Sequence, residues 1–242
     1  MREFWDDKAR ENAMYYVSSY RAYDGQDPEE FWKWGRILAE RFLEESEIPI
    51  TGRESMLEIG CGPGRMTAYF AERFRHVHGL DVSAEMVALA GEKLSAHDNV
   101  TVTVGSGVDL AEFEDAAFDF VFSYIVFQHI PEARIVLDYV REAGRVLRTG
   151  GHFYFQVNNT RRGLRERLRP GRLRVFAQRV LGGDNSPAQA GPEGPRGLDN
   201  PAWVGSRVSV KQIEKTLRQS NMQILSLRGE QTQYLWVCAA KR

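Results

Sequence analysis

Apolar positions change their period near residue 50, and that change divides the chain. Before it the pattern is helical and rich in aromatic residues, among them Phe4, Trp5, Tyr15, Tyr16, Tyr20 and Tyr23. Asp27-Pro28-Glu29-Glu30 predicts a helix start, with a capping side chain, a proline in the first turn and acids at the positive end of the helix dipole. Phe31, Trp34, Leu38, Phe42 and Ile48 then form one apolar stripe, expected to pack on a core. From residue 55 short apolar runs alternate with helical stretches. Strands are predicted over 55–60, 76–81, 99–104, 118–123 and 152–157, and helices over 64–74, 83–96 and 132–148. Strands separated by helices predict an α/β fold with a parallel sheet covered on both faces.

The alternation stops after residue 157. Residues 158–206 form an irregular insertion, first arginine-rich and then rich in glycine and proline. A helix over about 208–219, opened by Ser206 or Ser209, leads into MQILSLRG and TQYLWVCAA, which are separated by a turn around Gly229. That ending reads as a hairpin, so one of the last strands must run antiparallel. The organisation expected is an N-terminal helical cap, 1–50, and an α/β domain, 51–242.

Composition narrows the class. The 242 residues are 43% hydrophobic and 27% charged, an ordinary globular balance. No apolar run is long enough to span a bilayer, and the opening MREFWDDKAR lacks the apolar stretch of a signal peptide, so a soluble cytoplasmic protein is expected. Cys61 and Cys238 lie far apart without metal-ligand spacing, and free thiols are expected. A net charge of −1 gives no overall attraction to nucleic acid.

The candidate chemistry begins at SMLEIGCGPGR, residues 55–65, where a buried strand runs into Gly60, Gly62 and Gly64. In open α/β sheets ligands bind beyond the carboxyl ends of the strands, and glycines there let a ligand approach the main chain. Asp81 ends the next strand, 21 residues after Gly60, where an acid can accept from ribose hydroxyls. A dinucleotide loop needs a third glycine at position 65, where this chain has Arg65. Glu58 also brings a negative charge to the loop, which opposes a pyrophosphate and suits a ligand with an amino group and a sulfonium.

LEIGCGPGR, residues 57–65, resembles the first motif of the class I S-adenosylmethionine (SAM)-dependent methyltransferases, of the type 11-like kind, and HGLDVSAEM, residues 78–86, resembles their acidic motif. VGSGVDL at 104–110, FDFVFSYIVFQHIP at 118–131 and LRTGGHFYFQ at 147–156 are similar to the segments that follow, in the right order. The resemblance implies a Rossmann-like seven-stranded sheet of order 3-2-1-4-5-7-6 with strand 7 antiparallel. It implies SAM as cofactor and S-adenosylhomocysteine as product. Glu58, Gly60, Cys61, Gly62 and Gly64 would line the methionine half of SAM, Asp81 would hold the ribose, and Gly107 and Ser106 would meet the adenine edge. Ser106 stands where Asp or Asn is common in the family. Met86 would pack on adenine or serve as core, and Ser123 is a further cofactor-side candidate.

Methyl transfer from SAM needs a positioned nucleophile, and a base only where the acceptor must lose a proton. His129, just past the fourth strand, is the base candidate, with a pocket-shaping role as the alternative. Tyr124, Gln128 and Asn158 are candidates for the acceptor pocket. In the family the acceptor is usually set by the N-terminal segment and the insertions, which points to Tyr15, Tyr16, Tyr20, Trp203 and Arg207. No paired acids suggest a metal. Residues 161–180 hold eight arginines and one acid, suited to a solvated helix or to an anionic partner. The reading is methylation of an O or N atom of a small molecule. Two alternatives are an RNA methyltransferase, for which only the arginine run speaks, and a SAM-binding protein without catalysis. A homo-oligomer is left open.

Overall fold

The computed structural model describes residues 1–18, 23, 27–160 and 200–242. The expectations for Tyr20 and for the arginine-rich run lie outside the described residues. Two helices come first, α1 (Arg2–Ser18) and α2 (Pro28–Ser46). The alternating region follows as β1 (Ser55–Ile59), α3 (Thr67–Ala71), β2 (His76–Asp81), α4 (Ala84–Lys93), β3 (Val100–Val104) and β4 (Phe118–Ser123). A 3-10 turn (Phe127–His129), α5 (Ala133–Val146) and β5 (Leu147–Val157) continue it. After the insertion come the one-turn helix α6 (Pro201–Val204), α7 (Val210–Gln219), β6 (Met222–Arg228) and β7 (Leu235–Lys241).

The strands form one seven-stranded sheet of order β3-β2-β1-β4-β5-β7-β6. β1 to β5 pair in parallel, and β7 runs antiparallel to both β5 and β6. The expected topology is the observed one. The inner strands read as continuous apolar runs because they are buried on both faces. Successive side chains point to opposite sides. Leu57, Val121 and Phe153 pack with Val140 of α5 and Leu217 of α7, while Met56, Phe120 and Tyr154 pack with Phe70 of α3 and Phe42 of α2. Glu58 follows the parity of Met56 and faces α3.

Several boundaries differ from the expectation. Gly64 has φ +87°, outside the helical region, so α3 begins only at Thr67 and the predicted start at 64 is too early. β5 starts at Leu147 rather than 152, because a register shift between Phe118 and Phe120 lets Leu147 pair with Phe118. Ser209, not Ser206, opens α7, through a reciprocal capping box with Gln212. In α2 the stripe is displaced at one position: Trp34 is 44% exposed, and Gly35 is buried in its stead. A Cβ on Gly35 would stand 2.7 Å from the Arg65 carbonyl oxygen, so the helix face that approaches the glycine loop must be bare there.

α1 is interrupted at Asn12 (φ −168°, ψ 82°), whose Oδ1 accepts from the Tyr15 N–H at 3.0 Å and caps the second half from inside. The first half is fastened to the sheet edge. Arg2 donates to the carbonyls of Val82 (3.0 Å) and Gly105 (2.8 Å), and Asp6 accepts from Ser83 Oγ at 2.6 Å. These contacts lay α1 across the carboxyl ends of β2 and β3.

Candidate functional site

A cavity opens at those strand ends, with an empty volume of about 1010 Å³ counting the solvent at its mouth. The turn after β1 forms its floor. Gly60 (φ +78°) and Gly62 (φ +55°) hold conformations that L side chains rarely adopt, and the Gly60 and Cys61 N–H groups both donate to the Leu80 carbonyl, at 2.6 and 3.1 Å. β2 thereby delivers Asp81 beside the loop. Its carboxylate accepts from the Gly62 N–H and the Ser83 N–H, each at 2.9 Å, while still lining the cavity. Burial raises the Asp81 pKa, and these backbone donors oppose the shift.

Glu58 lies deeper, 4% exposed, and accepts from Thr67 Oγ1 at 2.6 Å. Burial pushes its pKa up to about 8; the Thr67 hydrogen bond and the Arg65 charge oppose the rise, and Asp81 adds to it. Among the described residues no cation is bonded to this carboxyl, which lines the cavity. Arg65, 6% exposed, also lines the cavity, its guanidinium 5.2 Å from the Phe31 ring centre and donating to the Val17 carbonyl at 3.4 Å. One buried acid and one buried arginine therefore belong to the same wall. The Cys61 thiol stays neutral, because burial drives its pKa well upward.

The wall is also aromatic. His129, Trp5, Tyr16 and Tyr124 line it together with Ile125 and Val126, and Val126 packs against Gly60 of the glycine loop. His129 Nδ1 is 2.6 Å from the Trp203 carbonyl, which can only accept, so Nδ1 carries a proton and Nε2 is the acceptor in the neutral ring. Burial lowers the His129 pKa against the opposing pull of that carbonyl. Tyr124 stacks on Trp236, with ring centres 5.5 Å apart and planes 7° from parallel.

Residues 57–155 match a family model described as a methyltransferase domain. The chain carries a methyltransferase domain. Over 100 residues it is 37% identical to phosphoethanolamine N-methyltransferase 2 of Caenorhabditis elegans, covering 40% of this chain and 22% of that protein. Over 104 residues it is 34% identical to malonyl-[acyl-carrier protein] O-methyltransferase of Salmonella typhimurium, covering 42% and 39%. The chain thus spans less than half the length of either relative. Its fold matches the crystal structure of a SAM-dependent methyltransferase from Methanosarcina mazei with a TM-score of 0.57 at 18% identity, over 82% of this chain and 96% of that one.

Within the methyltransferase domain the cavity gathers Glu58, Gly60, Cys61, Gly62, Asp81, Met86 and Gly107 from the sequence-derived cofactor set. Gly64, Ser106 and Ser123 lie off the wall. A Cβ on Gly64 would meet Leu94 Cδ1 at 2.6 Å, so its bareness serves packing of the loop on α4. Ser106 turns its hydroxyl onto Asp109 Oδ1 at 2.7 Å. Ser123 Oγ is buried and donates to the Ile59 carbonyl at 3.1 Å.

Of the acceptor-side candidates, His129, Tyr16 and Tyr124 reach the cavity. The Tyr16 hydroxyl points away, donating to Glu11 at 2.8 Å, and only its ring faces inward. Tyr15 packs edge-on against Tyr16 and Tyr23. Asn158 closes a loop by accepting from the Thr160 N–H and hydroxyl at 3.1 and 2.8 Å, and Arg207 lies exposed. Trp203 and Gln128 do not line the cavity but contact His129, the Trp203 carbonyl at Nδ1 and the Gln128 amide nitrogen 3.5 Å from Nε2. Sequence reasoning did not single out Trp5, Arg65, Val126 or Tyr139 as wall residues. Only Arg65, directly after the glycine motif, had a signal that could have flagged it. Among the described residues no group of three or more His, Cys, Asp or Glu is placed to hold a metal, and no helix is long and apolar enough to cross a membrane.

Proposed function

We propose that this protein transfers the methyl group of SAM to an oxygen or nitrogen atom of a small-molecule acceptor. The observation that carries the reading is a single cavity wall that combines Glu58, Arg65 and Asp81 with the rings of Trp5, Tyr16 and Tyr124 and with His129, whose Nε2 is the acceptor of the neutral ring. SAM, when bound, supplies an activated methyl group on a sulfonium, so the protein needs no covalent intermediate. Glu58 meets the ligand ammonium and Arg65 its carboxylate, which fixes the amino-acid half. Asp81 accepts from ribose hydroxyls while the Gly62 and Ser83 amides hold its carboxylate in place. Met86 and Gly107 border the adenine end.

His129 Nε2 takes the acceptor's proton where the acceptor is a hydroxyl or an ammonium, and its depressed pKa keeps it unprotonated at neutral pH. The Trp5 and Tyr16 rings, both from α1, line the cavity, and Tyr16 packs edge-on against Trp203. The N-methyltransferase and O-methyltransferase relatives support both acceptor atoms. Calorimetry with SAM and S-adenosylhomocysteine, followed by a turnover assay for S-adenosylhomocysteine across hydroxyl and amine acceptors, tests the reading. Failure of SAM to bind would sink it. Binding without product across the panel would favour a SAM-binding protein without catalysis.

A further inference from the structure

The carbonyl that orients His129 comes from an element remote in sequence. α6 is one turn long, capped by Asn200, whose Oδ1 accepts from the Ala202 N–H at 2.8 Å. Carbonyls at a helix end have no partner within the helix. That of Trp203 is taken by His129 Nδ1, at 2.6 Å. The Trp203 indole lies 5.0 Å from the imidazole, and the Trp5 indole packs on it edge-on at 5.4 Å. The ring is thus held by two indoles as well as by the hydrogen bond.

Gly205 makes this approach feasible. Its φ of +60° and ψ of −159° fall in a region open essentially to glycine alone. A Cβ there would stand 1.7 Å from the Gln128 carbonyl oxygen and 2.9 Å from His129 Cα. Any side chain at 205 must push the segment off the 3-10 turn and lengthen the Trp203–His129 bond. Among the described residues no charged group contributes to the His129 shift, which comes from burial and from the Trp203 carbonyl. The charged side chains among the described residues of the cavity wall are Glu58, Arg65 and Asp81, and Met1 lines it as well.

We propose that the Asn200–Ser206 segment is a positioning element that holds His129 as its Nδ1–H tautomer and so leaves the Nε2 lone pair, 3.5 Å from the Gln128 amide nitrogen, as the acceptor of the ring. Trp203, through its carbonyl and indole, and Gly205, through its missing side chain, are the positioning residues. The use of this lone pair in proton transfer rests on the function proposed above; the tautomer itself does not.

Nitrogen-15 NMR of histidine-labelled full-length protein, with His129 assigned by its loss in His129→Gln, reads the tautomer without any acceptor. The wild type is expected to show a pyrrole-type Nδ1 and a pyridine-type Nε2. Gly205→Ala, with folding checked by circular dichroism, is expected to lose that signature and to lower turnover more than SAM affinity. A wild-type ring protonated at Nε2 overturns the proposal without needing a variant. A folded Gly205→Ala protein that keeps the Nδ1–H signature overturns it as well. If the wild type carries the Nδ1–H signature but does not bind SAM, the positioning element stands and the proposed function fails. If SAM binds and turns over while Nε2 carries the proton, the positioning element fails alone.

Discussion

Glu58→Gln isolates the electrostatics of the cavity. The carboxyl is 4% exposed and burial pushes its pKa up to about 8, so at pH 7 roughly nine in ten free molecules hold it protonated. A ligand ammonium, itself titrating at about 7.7–8.0, binds the carboxylate form. Below pH 8 binding must therefore expel a proton from Glu58, at a cost of about 1.4 kcal/mol per pH unit. Above pH 8 the ligand amine must take one up. SAM affinity is expected to peak near pH 8 and to fall about tenfold per unit on the acid side.

Calorimetry in buffers of different ionisation enthalpy measures this directly, with close to one proton released at pH 7 by the wild type and none by the Gln variant. The same shift acts on stability. Folding raises this acid from its ordinary 4.5, so the folded state binds the proton more tightly, and the free protein loses stability as pH rises from about 4.5 to about 8. The full span is an upper bound of roughly 5 kcal/mol. Glu58→Gln should therefore melt higher than the wild type at pH 8 in the absence of SAM. Wild-type binding with no proton release, or an unchanged pH slope in the Gln variant, would refute the assignment of Glu58 to the ligand's ammonium.

Asp81→Asn sets an amide nitrogen against backbone N–H groups now 2.9 Å from the carboxylate, and should weaken SAM binding by about 1–3 kcal/mol in calorimetry; an unchanged Kd would remove Asp81 from the cofactor contact. Gly60→Ala combines a φ of +78° with a Cβ 2.0 Å from Val126 Cγ2, and should destabilise the fold by about 1–3 kcal/mol in urea melts. Adding Val126→Ala should recover the steric part and leave the dihedral part. Ser209→Ala removes the hydroxyl that caps α7 and should cost about 1 kcal/mol, lowering Tm by about 2–4 °C with SAM affinity unchanged.

The strand order and the glycine turn were legible because both rest on local chemistry. β1 and β4 carry buried apolar side chains on both faces, and Asp27 and Ser209 cap their helices within three residues of their own position. Where the local reading slipped, a long-range contact was the cause. Trp34 keeps helical spacing but yields the core position to Gly35, because the Arg65 backbone passes there. Gly64 belongs to the glycine motif yet answers to Leu94 of the neighbouring helix end, not to the cavity. Ser106 satisfies its hydroxyl within its own turn.

By itself the sequence determined a doubly covered α/β sheet, its antiparallel ending, and a loop chemistry that favours an ammonium and a ribose over a pyrophosphate. Apolar periodicity, caps and glycine spacing act over a few residues and leave their mark in the chain's order. Only the tertiary structure decided which aromatic groups face the cavity, that Glu58 is buried deeply enough to titrate near neutrality, and which nitrogen of His129 is the acceptor. Those properties arise from Trp5 and Trp203 meeting an imidazole between them in sequence, and from desolvation by elements far apart along the chain. Neither distance nor dielectric is written in a local pattern.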